Sequence, residues 1–177
     1  MEKIPVEKRW AISAKALSGL NLLRIIFIRS LMGKGEGIIS PLMGWEKYDE
    51  VSIKTWGEGG KRFLPWVKET FNIPVEDAIG ADKLVIVAGK LLQGPEFESE
   101  TVEATPERVV SRVTKCVWME RYNEFEVDPA LSTCPAGDQA YFGEGLKAVN
   151  PKLTYKLTKA MPRGDPYCER IIEFEVE

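Results

Sequence analysis

The sequence predicts an α+β fold, a helical N-terminal half followed by an antiparallel β-sheet of two hairpins with a helix between them. Two observations carry this reading. Before Gly94, apolar residues recur at spacings of three and four, the period of a helix with one buried face. After it, valine- and threonine-rich runs alternate apolar with polar residues, the period of a half-buried strand. The order helices, two strands, one helix, two strands then favours helices on one face of an antiparallel sheet. A chain of 177 residues fits one integrated domain, with 1–94 as the helical region and 95–177 as the sheet plus helix.

From Arg9 to Met32 the stripe Ile12, Ala16, Leu20, Leu23, Phe27 and Leu31 marks a helix, ended by Gly33, Gly35 and Gly37. Trp45 to Trp56 is a weaker helix, which Gly57, Gly59 and Gly60 separate from a further helix over Arg62 to Phe71. Pro65 falls near the start of that helix, where its missing N–H costs least. Val75 to Leu92 is an apolar helical segment stopped by Gly94-Pro95. Glu98 to Ala104 and Arg108 to Met119 read as a hairpin turning at Pro106. Cys134 to Val149 reads as a helix, with Ser132 or Thr133 as N-cap, Pro135 in the first turn and Asn150-Pro151 as its stop. Lys152 to Met161 and Cys168 to Val176 form the last hairpin, turning through Gly164-Asp165.

The chain contains no histidine. This excludes a Ser-His-Asp triad, a Cys-His dyad and a histidine-ligated metal, so an acid, base or nucleophile must come from other side chains. Lys plus Arg number 24 against 27 Asp plus Glu, with no long basic stretch; nucleic-acid binding, which draws its affinity from phosphate neutralisation, is disfavoured. Leu20 to Met32 is too short and too charged to span a bilayer. Three cysteines and a charged start without a secretory leader point to a reducing, cytoplasmic setting. A homo-oligomer is compatible with the composition. Gly57 to Gly60 lacks the Lys-Ser/Thr of a phosphate loop and reads as a turn.

Cys134 stands out because a thiol in the first turn of a helix feels the positive end of the helix dipole, which favours thiolate. Asp138 follows one turn later. Cys168 shares the apolar parity of Ile172 and Phe174, the usual place of an inert thiol. Cys116 falls near the end of its strand. If the hairpins share a sheet that the Cys134 helix crosses, Cys116, Cys134 and Cys168 converge. They would then make a soft site for zinc, iron or copper(I), with Asp138 or water as fourth ligand. None of their spacings is the short C-x-x-C kind. Aromatic residues, Trp118 and Tyr141 among them, are expected in the core and in the walls of a site for a small molecule.

Cys116, the Cys134-Pro135 helix start and the turn Gly164-Asp165-Pro166-Tyr167-Cys168 resemble the aminothiazoline-carboxylate hydrolase family. The C-terminal hairpin is also similar to the vinyl reductase domain, a small-molecule-binding module; both share a Gly-Asp-x-x-Cys turn into the last strand. The resemblance covers about Gly94 to the C-terminus and implies a cysteine-lined site in an α+β fold. From it we expect a hydrolase-like enzyme acting on a small cyclic acid containing sulfur and nitrogen. Cys134 would be nucleophile or metal ligand, Asp138 and Asp165 its nearest carboxylates, and Cys116, Trp118, Tyr141 and Cys168 the substrate contacts. The alternative is a non-catalytic sensor or carrier of a small molecule or metal, of the vinyl-reductase-domain type.

Overall fold

The computed structural model describes residues 45–175 other than 125 and 127. The helical stripe over 9–32 and its glycine stop lie outside the described residues, as does Val176. The first described element, α1, runs unbroken over Trp45–Thr70, where the three glycines at 57, 59 and 60 predict a break. Their role is lateral. A Cβ at Gly60 would stand 1.9 Å from the Tyr141 carbonyl oxygen, and one at Gly145 would stand 2.8 Å from Leu64 Cδ2. These glycines let two helix backbones touch, so the signal read as a turn is a close crossing. Pro65 consequently sits inside the helix rather than at its start, between the fully buried Leu64 and the equally buried Val67. Packing there offsets the hydrogen bond that proline cannot make.

Helix α2, Ala78–Gln93, begins at Asp77, whose carboxylate accepts the Gly80 N–H at 2.7 Å, and ends at Gly94 with φ 90°. Its Ala81, Leu84, Val85 and Ala88 are fully buried. Strands β1 (Glu98–Ala104), β2 (Arg108–Lys115), β3 (Leu153–Lys159) and β4 (Cys168–Phe174) form one antiparallel sheet in the order β1-β2-β4-β3. The two predicted hairpins are thus present and joined through β2 and β4, with Val109 opposite Ile172 and Ser111 opposite Arg170.

Strand β2 stops at Lys115, short of the expected Met119, and Val117–Glu124 is a helix, α3. Two local bonds turn the chain. The Val117 N–H donates to Gln93 Oε1 at 3.1 Å, and the Cys116 carbonyl accepts the Glu120 N–H at 3.2 Å, opening the helical turn. Helix α4, Cys134–Val149, matches its expected span. Its position-wise cap, Thr133, makes no side-chain bond; the Ser132 hydroxyl accepts the Cys134 N–H instead, at 3.0 Å. Helix α4 packs on α1 and β3, and α2 on β2 and β4. The core between them holds Leu64, Val85, Val109, Phe142, Leu146, Leu153 and Ile172.

Candidate functional site: a buried polar cluster around Arg170

Alternation places Arg170 on the inner face of β4, between Ile172 and Cys168, opposite Ser111 on β2 and Leu157 on β3. Only 4 % of its surface is exposed. A guanidinium there loses its water and survives only with a partner. Helix α4 supplies it: Arg170 Nη2 donates to Asp138 Oδ2 at 2.6 Å. The Tyr155 hydroxyl, from β3, donates to the other Asp138 oxygen. The Arg170 guanidinium also lies 4.7 Å from the Phe142 ring centre and 5.9 Å from that of Phe97, within cation–π range. Burial works against the charge of Arg170, but the adjoining carboxylate outweighs it and holds the guanidinium protonated above its usual range. Burial likewise pushes the Tyr155 hydroxyl well above the usual phenol range.

The three cysteines gather beside this cluster. Each of Cys116 and Cys168 is near enough to affect the ionisation of Cys134, as are Asp138 and Arg170. The expected thiolate is not what this neighbourhood favours. Burial, reinforced by Cys116 and Asp138, pushes the Cys134 thiol well above its ordinary value, and burial takes Cys116 up to about 11. Cys168 is raised for the same reason, and its sulfur accepts the Met161 N–H at 3.3 Å. The helix dipole at Cys134 is therefore overridden by desolvation. Among the described residues no group of three or more Cys, Asp or Glu is arranged to hold a metal ion.

The remaining expected site residues divide. Trp118 packs edge-on to Trp56 at 6.4 Å, and Trp56 meets Tyr141 at 5.8 Å. Burial raises the Tyr141 hydroxyl above its usual range. Asp165 is spent elsewhere: its Oδ2 accepts the Ala160 N–H at 2.8 Å and holds the turn, in which Gly164 adopts φ 94°. Beside the start of α4 a cleft of about 190 Å³ is lined by Ile53, Ser132, Thr133, Pro135, Ala136 and Arg163. That is below the ~300 Å³ at which ligand pockets usually begin. Of the two residues of this cluster missed from sequence, Tyr155 and Arg170, the central one is Arg170. Its signal was present, as the one charge on the apolar side of the last strand.

No family model matches the chain, and no curated protein matches it. Among the solved structures that share its fold are the following two. The phenol-responsive sensory domain of the transcription activator PoxR, with phenol, aligns at 11 % identity and TM-score 0.52, over 91 % of this chain and 74 % of that one. A trafficking protein particle complex subunit 3 from Naegleria fowleri, covalently bound to palmitic acid, aligns at 12 % identity and TM-score 0.58, over 93 % of this chain and 96 % of the other. These likenesses define an α+β class of fold. The aminothiazoline-carboxylate hydrolase resemblance finds no support in them. No helix among the described residues is long and apolar enough to cross a membrane.

Proposed function

We propose that this chain is a small-molecule-binding domain of the sensor or carrier kind rather than a hydrolase. The observation that carries the reading is the Arg170–Asp138–Tyr155 set, a charged group buried among aromatic rings where apolar packing would serve stability as well. The same surroundings disfavour covalent catalysis. A nucleophilic Cys134 needs a base or a lowered pKa, yet its thiol is raised, and Asp138 is already engaged by a guanidinium and a phenol. The two structural neighbours, one with phenol and one with a covalently held fatty acid, support the ligand-binding reading at the level of fold.

Native mass spectrometry of freshly purified protein, alongside a turnover assay with aminothiazoline carboxylate, separates the two functions. The proposal predicts an added mass of small-molecule size and no turnover. A bare mass together with hydrolysis abolished in Cys134→Ser would overturn it in favour of the enzyme. A mass that survives denaturation would mark a covalent ligand and still support the carrier.

A further inference from the structure

Among the described residues, three buried polar atoms between the sheet and α2 have no hydrogen-bond partner: Arg170 Nε, Asp82 Oδ1 and Ser99 Oγ. Buried polar atoms are nearly always satisfied, so each such vacancy needs an explanation. Their chemistry is complementary. Arg170 Nε–H is a donor, the Asp82 oxygen an acceptor, and the Ser99 hydroxyl either one. They belong to one neighbourhood. Ser111 pairs with Arg170 on one side and with Thr101 on the other. Asp82, from α2, takes the Thr101 hydroxyl on its other oxygen at 3.0 Å and feels both Ser111 and Arg170. Ser99 lies two residues from Thr101 and so on the same face of β1.

This neighbourhood also has an outlet. Asp82 and Arg170 are each 4 % exposed, whereas Thr101 is exposed on the edge strand β1. A line of polar groups therefore runs from the sheet edge, over Asp82, to Arg170. One apolar side chain stands near on α2: Ile79, one turn before Asp82, is 45 % exposed.

We propose that this line is the recognition site for the hydroxyl group of an aromatic or similarly flat apolar ligand. The inference rests on the small-molecule-binding reading and specifies the chemistry of its ligand. A hydroxyl donates once and accepts twice, so a single one can take the Arg170 Nε–H and donate to Asp82 Oδ1. A carboxylate would satisfy Arg170 but meet Asp82 as a like charge; an ammonium would do the reverse. The Phe97 and Phe142 rings beside the guanidinium supply flat apolar surface for the rest of the molecule.

Phenol and toluene, which differ by hydroxyl for methyl at nearly constant shape, test this by titration calorimetry on the full chain. Phenol is expected to bind about tenfold more tightly than toluene, the ratio one net hydrogen bond supplies. Asp82→Leu should abolish that ratio, while Asp82→Asn, which keeps an acceptor and a donor, should retain most of it; circular dichroism checks that both variants fold. Equal binding of the two probes, or an unchanged ratio in Asp82→Leu, would overturn the hydroxyl site and leave small-molecule binding standing. Neither probe binding, with an added mass in native mass spectrometry, has the same meaning. Neither binding, with a bare mass, removes both inferences.

Discussion

Asp138 is held by two donors, and its removal separates the value of the ion pair from that of burial. Asp138→Ala leaves the Arg170 charge stranded among Phe97 and Phe142, which should cost about 3–5 kcal/mol in urea unfolding. The double variant Asp138→Leu/Arg170→Met should recover most of that loss, because an apolar pair of similar volume needs no desolvated charge. A double variant as unstable as the single would mean that the pair itself, rather than the stranded charge, sets the cost. Asp82 makes a pH prediction. Burial raises its carboxyl above the ordinary 3.8, against the opposing effects of Ser111, Thr101 and Arg170. The unfolded chain releases this proton near 3.8 and the fold holds it to higher pH, so folding takes up a proton between the two values. The contribution of Asp82 to stability is greatest below 3.8 and falls as pH rises through the folded value. Asp82→Asn should therefore gain stability relative to the native protein as pH rises above 3.8; a pH-independent difference in chemical denaturation would contradict this assignment.

At the scale of elements, the crossing of α1 and α4 depends on glycine in a way that two substitutions distinguish. Gly60→Ala drives a methyl into the Tyr141 backbone at 1.9 Å and should destabilise by about 3 kcal/mol or more. Gly143→Ala, on α4, meets nothing nearer than Gln139 Nε2 at 3.6 Å and should stabilise by about 0.5–1 kcal/mol through helix propensity. Thermal unfolding of the two variants reads both signs. The same helices show what was legible in the sequence. Alternation located β3 and β4 because each buries one regular face, while strand-forming residues marked β1 and cap and stop residues marked α2 and α4. The continuity of α1 was hidden, since a glycine that permits contact and a glycine that makes a turn are the same letter. Helix α3 was hidden for a related reason: the side chain of Gln93, distant in sequence, holds the Val117 N–H where β2 has ended, and that bond is not visible in local propensity. The places of Cys116, Cys134 and Cys168 at the ends of elements followed from element order alone. Their protonation did not, because desolvation depends on packing that composition does not record.

For the whole molecule, the layering explains why chemistry gathers where it does. Helices α2 and α4 cover one face of the sheet, and Arg170 on β4, in the middle of that sheet, is reached by Asp82 from one helix and Asp138 from the other. Binding a ligand in this layer should stabilise the fold in proportion to ligand occupancy, so melting temperature should rise with the concentration of any true ligand. The most direct measurement is a crystal structure of the protein as purified. The account predicts electron density for a non-protein molecule between the sheet and α2, with a polar atom within about 3 Å of Arg170 Nε. Side chains packed into contact around Arg170 Nε and Asp82 Oδ1, with no room for a molecule larger than water, would contradict it.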